Sequence, residues 1–194
     1  SHLPDVTVIM PVFDVAEDIV AFVAARGHHA DIGGITPGSM PPFSRNLEEE
    51  GVLLDNVLLV DQGHLREAEM RKVLASGRFP ARNPDSNIAD LKAQIAACVK
   101  GGAEFTALIA RYGRETVHAY MRHVQSHAAE CVRRVIDSLS DGSFACEMDN
   151  GAVIRVTITV NRAARTATID FTGTSEQRPN NFNAPLSVCR AAVL

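Results

Sequence analysis

Nowhere among these 194 residues do about 18 apolar residues run together, so nothing reads as a membrane-spanning helix. Positive charge is not in excess. Lysine and arginine number 19 against 23 aspartates and glutamates, a net charge of −4, which gives no reason to expect nucleic acid or an anionic membrane surface as partner. Cysteine is sparse. Cys98, Cys131, Cys146 and Cys189 stand far apart and form no Cys-x-x-Cys pair, so they read as small core residues with free thiols, which suits a reducing cytoplasm. Gly33-Gly34 with Gly38 lacks the lysine and serine or threonine of a P-loop, so the chain has no recognisable loop for ATP. There is no Gly-x-Ser-x-Gly elbow, and Ser39, between Gly38 and Met40, reads as a turn residue. His123 and His127 stand four apart but enclose Val124, Gln125 and Ser126, without the glutamate of a His-Glu-x-x-His site. They read as exposed or interface histidines. Repeats and low-complexity tracts are absent.

What is present is ordinary for a globular chain: 46% hydrophobic and 22% charged residues, enough to bury a sizeable core in one domain of one or two lobes. Residues 5–13 and 19–26 are β-branched, apolar runs separated by the polar break Asp14–Asp18, and predict an antiparallel hairpin. Gly51–Val60 reads as a strand or two short ones, and His64–Ser76 as a helix burying Leu65, Ala68, Val73 and Leu74, with Glu67 and Arg71 paired on its outer side. A long helix is expected from about Asn87 to Arg111, burying Ile88, Leu91, Ile95, Val99, Phe105, Leu108 and Tyr112. Another is expected over Glu115–Leu139, burying Val117, Met121, Val124, Ala128, Val132, Val135 and Leu139. Gly113 between them suggests an antiparallel helical hairpin as the main helical layer. Phe144–Met148, Val153–Asn161 and Thr166–Thr172 read as a strand meander turning at Asp149-Asn150-Gly151 and at Arg162–Arg165. In that meander Ile154, Val156, Ile158 and Val160 form the buried side. Leu186–Leu194 reads as a helix. The fold class is therefore α+β: an N-terminal β-hairpin and strands, a central antiparallel helical hairpin, and a C-terminal antiparallel meander.

The chemistry concentrates near the start. Arg26-Gly27-His28-His29-Ala30-Asp31 is followed by a loop of glycines and prolines running to Pro42, and His2-Leu3-Pro4-Asp5 lies upstream. With the hairpin turn near residue 16, paired residue numbers sum to about 32. Asp5 then faces Gly27, and His28 emerges beside His2 and Asp5. Two imidazoles and a carboxylate at one strand end suit a divalent transition metal. A His-His pair that merely caps the sheet is the other reading of the same residues.

His2-Leu3-Pro4-Asp5-Val6-Thr7 and the stretch Arg26–Pro42 resemble the hydantoinase B/5-oxoprolinase family. The likeness continues through Asn83–Gln94, Ala119-Tyr120-Met121, Met148-Asp149-Asn150-Gly151, Asp170–Thr174 and Asn181-Phe182-Asn183-Ala184-Pro185, so it covers essentially the whole chain. The wording of Ile32–Pro42 looks more like 5-oxoprolinases than N-methylhydantoinases. Members of that family are much longer, which makes residues 1–194 a single partial hydantoinase B-type domain, truncated at both ends, whose metal shell would lack a carboxylate supplied from upstream.

The resemblance implies His2, Asp5 and His28 as ligands of a divalent metal (zinc, manganese or iron undecided), with His29 the alternative to His28. It also implies an ATP-using partner, a hydantoinase A-type subunit or domain that binds the nucleotide, and hence a hetero-oligomer acting on a small cyclic amide. The expected reaction is metal-assisted, ATP-dependent opening of 5-oxo-L-proline to L-glutamate. A bound metal can lower the pKa of water towards about 7, which answers the resistance of a resonance-stabilised amide to neutral water. On this reading His29 and Asp31 are catalytic or orienting candidates. The loop Gly33–Ser39, with Gly34, walls the substrate pocket, and Asn181 and Asn183 are pocket amides. N-methylhydantoin hydrolysis, ketone carboxylation and a non-catalytic assembly subunit are the alternatives.

Overall fold

A computed structural model describes residues 2–194. In chain order the elements are β1 (Asp5–Phe13), β2 (Ile19–His28), α1 (Leu47–Glu50), β3 (Val60–Asp61), β4 (His64–Leu65), α2 (Glu67–Leu74), α3 (Pro84–Tyr112), α4 (Arg114–Ser138), β5 (Gly142–Glu147), β6 (Val153–Asn161), β7 (Thr166–Asp170) and α5 (Leu186–Val193). The α+β class and the order of strands, long helices and meander are as expected. No helix among the described residues is long and apolar enough to cross a membrane.

Two compact units result. One takes the chain as far as Ala107 and again from Arg178 onward; the other is Leu108–Gln177. The first unit is built on the β1–β2 hairpin, one face of which lies on α3. Gly101 and Gly102 let the strands come close: a Cβ on Gly102 would meet the Met10 methyl at 2.8 Å. The core gathers Val6, Ile32, Val52, Met70, Leu74, Ala81, Ile88 and Leu91. The second unit stands on α4 and the β5–β6–β7 meander. There the β6–β7 turn grips the end of α4. Arg165 pairs with Asp137 at 2.8 Å and Glu130 at 3.1 Å, and Arg162 donates to the Asp137 and Leu139 carbonyls, cations meeting the negative end of a helix.

Several expectations need correction. The hairpin register is one residue off: Asp5 pairs with His28, not Gly27, because Val20 is the extra residue of a bulge between Val12/Ala21 and Phe13/Ile19. Residues 51–59 form no strand, although Val52 is buried and donates to Ile32 O at 2.8 Å. The apolar run is consumed by packing, not by a ladder. The helix expected from His64 starts at Glu67, since Gln62 and Gly63, both with positive φ, make a tight turn that pairs His64-Leu65 with Val60-Asp61. In α2 the buried pair is Met70 and Leu74, while Ala68 is exposed. The Glu67–Arg71 pair forms at 2.8 Å.

Both long helices form where expected, with Gly113 alone between them. The first compact unit takes α3 as far as Ala107, and Leu108–Tyr112 belong with α4 to the second. On α3 the buried side is Asn87, Ile88, Leu91, Gln94, Cys98 and Gly102, while Val99, Leu108 and Tyr112 are exposed. On α4 nothing is fully buried, and Met121, Val124, Val132 and Val135 face outward. The meander strands sit where expected, but Val156, Ile158 and Val160 are only half-buried and Ile154 is exposed. Of the four free thiols only Cys98 is in the core.

Candidate functional site

β1 is entered through a turn in which Asp5 N–H donates to His2 O at 3.0 Å, so His2 and Asp5 stand at one corner. Directly across the ladder is His28, the last residue of β2. His2 Nε2 and His28 Nε2 lie 2.9 Å apart, and His2 Nδ1 lies 3.9 Å from Asp5 Oδ2. One ligand atom from each of the three residues falls within 4.8 Å of the others, the one such group of three among the described residues. Ligand bonds of about 2.1 Å put neighbouring donor nitrogens roughly 3.0–3.4 Å apart, close to the separation found here. Two imidazoles and a carboxylate, half-exposed to exposed, therefore fit a divalent transition ion with positions left for water or substrate.

The next residue goes the other way. His29 is fully buried. Its N–H donates to Pro4 O at 2.8 Å. Gln94 uses both amide hydrogens on Val6 O (2.8 Å) and Ala25 O (3.0 Å), so Gln94 Oε1 is the end that faces His29 Nε2 at 3.2 Å. Asn87 Nδ2 donates to His29 Nδ1 at 3.0 Å and to Asp31 O at 2.8 Å. The ring thus carries its proton on Nε2, and both nitrogens are engaged within the protein. Neither has a lone pair free for a metal in this arrangement, whereas His28, the exposed imidazole of the pair, stands beside His2 and Asp5.

Asp31 organises the loop. Its carboxylate accepts from the backbone N–H groups of Gly33 (2.9 Å), Gly38 (3.0 Å) and Arg82 (3.1 Å), and from the Arg82 guanidinium at 2.8 Å. Burial pushes its pKa upward, but these donors together outweigh burial and hold the acid below its ordinary 3.8. Arg82 also reaches the carbonyls of Gly33 (3.4 Å) and Gly34 (2.6 Å). Ser39, buried and at φ 53°, accepts from Ile32 N–H at 2.7 Å and donates to Gly33 O at 2.5 Å. The loop Gly33–Ser39 is therefore a rigid shape, not a flexible tether.

A linkage prediction arises here. A carboxylate more acidic folded than unfolded contributes stability that is complete above its unfolded pKa and is lost as pH falls through the folded value. Arg82→Met removes part of that effect. The gap in thermal midpoint between wild type and Arg82→Met is expected to be full at pH 6 and to shrink below about pH 4. A gap unchanged down to about pH 2 would place the effect of Arg82 in packing and not in the charge of Asp31.

Asn181 donates to Pro41 O at 3.0 Å and ties its loop to the end of the glycine–proline segment. Asn183 spends its amide within its own loop, accepting from Arg178 N–H (2.9 Å) and donating to Arg178 O and Asn180 O. Arg82, Asn87 and Gln94 were not singled out in the sequence. Arg82 and Asn87 lie in or beside Asn83–Gln94, the stretch whose wording carried the family likeness, and that was the only signal of them. On α4, His127 Nε2 lies 3.6 Å from Cys131 Sγ and His123 stacks edge-on against Tyr120, with no third ligand gathered there among the described residues.

The comparisons with known proteins agree with one another. The family model described as hydantoinase B/oxoprolinase matches residues 1–194. The 5-oxoprolinase of Dictyostelium discoideum is 43% identical over 203 residues, taking in all of this chain and 16% of its own length. The 5-oxoprolinase 1 of Arabidopsis thaliana is 41% identical, again over the whole chain and 17% of its own length. The crystal structure of the ATP-dependent caprolactamase from Pseudomonas jessenii superposes with a TM-score of 0.78 at 25% identity, covering 100% of this chain and 33% of that one. The chain thus spans about a sixth of the 5-oxoprolinases it matches.

Proposed function

Because this chain belongs to the hydantoinase B/oxoprolinase family, we propose that it carries the hydrolytic site of an ATP-dependent cyclic-amide hydrolase, with 5-oxo-L-proline opened to L-glutamate as its reaction. One observation carries the reading: His2, Asp5 and His28 present three ligand atoms within 4.8 Å at the solvent-facing end of a hairpin. The similarity to 5-oxoprolinases supports the substrate, and the caprolactamase neighbour supports a lactam in general.

A lactam carbonyl is a poor electrophile, and phosphorylation of its oxygen by ATP on a partner subunit or domain would activate it. One water then accounts for the broken C–N bond and a second for the broken phosphate bond, leaving glutamate, ADP and phosphate. A divalent ion held by His2, Asp5 and His28 would polarise the substrate oxygen and bring the pKa of water towards about 7. The remaining work belongs to the protein's own groups. His29, with both nitrogens bonded, holds the strand exit in place, and Asp31 stays ionised and bonded to Arg82 and the loop N–H groups. Both act as positioning residues, with the loop Gly33–Ser39 as a stiff wall beside the reacting lactam. A cytoplasmic setting suits the four unpaired thiols.

The test supplies the whole protein and its ATP-using partner with 5-oxoproline, ATP and zinc, manganese or iron(II). Glutamate and phosphate are expected to appear in equal amounts. ATP turnover without glutamate would overturn the substrate. Tyr120, Met121 and Val124, exposed on α4, favour a second reading in which this chain is an assembly surface only. That reading requires full activity after His28→Ala.

A further inference from the structure

We propose that Gln94, and Asn87 acting through His29, are positioning residues for the His2/Asp5/His28 cluster. They would touch no metal, yet hold the two strand ends at ligand spacing. The inference rests on the metal reading above and deepens it.

The problem they answer is physical. Asp5 and His28 form the last pair of a two-stranded ladder, and such a ladder is marginal by itself and frays at its ends. His2 lies beyond the ladder altogether. Something else must keep three ligands from two chain segments together. Gln94 does so from α3. Its one amide nitrogen donates to Val6 O on β1, one residue from Asp5, and to Ala25 O on β2, three residues before His28, bridging the strands near that pair. Gly27 makes room for it: a Cβ there would lie 3.3 Å from Gln94 Nε2.

The far side of Gln94 receives the His29 proton, and Asn87 donates to the opposite nitrogen of the same ring. From His29 the chain of bonds reaches the ligands. The His29 N–H donates to Pro4 O, which also accepts from Val6 N–H, and Pro4 lies between His2 and Asp5. Every donor hydrogen of the two amides and of the ring is used. Burial alone does not call for such a set, since an apolar side chain of equal size fills the space as well. What an apolar residue cannot do is fix direction on both strands at once. Asn87 Oδ1 is the one buried acceptor of the set left without a partner, so the amide is oriented by its donors towards His29 and Asp31.

The experiment uses the whole protein and reads metal affinity, not turnover. Affinities for Mn²⁺ and Zn²⁺ are measured by competition with a chromophoric chelator, and thermal midpoints are measured in excess chelator. Gln94→Met keeps the volume and removes the bridge. Asn87→Asp keeps the shape and reverses the polarity at His29 Nδ1, favouring the proton on the wrong nitrogen. Each is expected to weaken both affinities by about 10–100-fold, the range typical of groups that orient ligands from behind, while the fold persists without metal. Folded variants that bind within about threefold of wild type would overturn the proposal, being short of that range. So would loss of folding in both, since the set would then hold the fold and not the cluster. His28→Ala separates the two levels. Wild type that binds neither ion, or binds them equally after His28→Ala, overturns the metal reading itself. Binding that needs His28 but ignores Gln94 and Asn87 overturns only the positioning.

Discussion

On the proposed metal reading, His28→Ala is expected to abolish divalent-ion binding by the whole protein and the proposed lactam hydrolysis together, while leaving it folded. His28 is exposed at the end of β2, where its ring meets that of His2, so alanine there opens no buried cavity. The loss falls on affinity. Removing a direct ligand should weaken binding by more than about 100-fold, beyond what residues behind the ligands cost. Elemental analysis of the purified protein should then give about one ion per chain in wild type and almost none in the variant. Asp5→Ala should behave alike. His29→Ala should not: it removes a buried ring, orphans the Gln94 and Asn87 groups, and should lower the thermal midpoint sharply. A His28→Ala protein that keeps its ion would show that other side chains hold it. One that loses the fold would mean that the strand end is built differently from this description.

Gly34→Ala, like Gly33→Ala, is expected to damage the glycine–proline loop severely, because at both positions an added Cβ runs into backbone. Gly34 has φ +87°, and a Cβ on it would stand 2.6 Å from the carbonyl oxygen of Glu50 and 2.8 Å from that of Glu49. Both obstacles are backbone, so no side-chain rotation relieves them. The left-handed conformation costs about 1–2 kcal/mol for a residue with a Cβ. Forced overpacking adds about 1–3 kcal/mol. Gly77→Ala is the matched control, because Gly77 has φ +80° with nothing within 4 Å of the added carbon and should show only the conformational part. Urea unfolding of the two variants measures the difference. Equal losses would mean that the loop yields at Gly34, contrary to the clamp formed by Asp31, Arg82 and Ser39.

Much of this was legible in the residues. The two apolar runs around Asp14–Asp18 fold as a hairpin, and a hairpin brings His2 and Asp5 to His28 whatever its exact register. The bulge at Val20 was not legible, because an inserted residue leaves the alternation of apolar side chains almost unchanged over so short a strand. That single step set Asp5 directly across from His28. The buried side of α3 was misread for a related reason. Counting apolar spacing selects Val99 and Leu108, whereas the helix buries Asn87 and Gln94, amides whose place inside depends on having partners on β1, β2 and His29. Pattern reading has no means to see a polar group that is satisfied across 56 or more residues of chain.

The sequence by itself determined the class of fold, the family, the meander with its two turns, and which acids and imidazoles stand close along the chain. Those follow from local propensity, from period, and from wording that stays within a few residues. Only the tertiary structure decided that His28 faces solvent while His29 points inward, that Asp31 is held by Arg82 as a structural anion, and that α3 buries the amides Asn87 and Gln94. Each of these is a choice between partners distant in the chain. The free energy that makes the choice, of burying a ring or satisfying an amide, exists only once those partners have met.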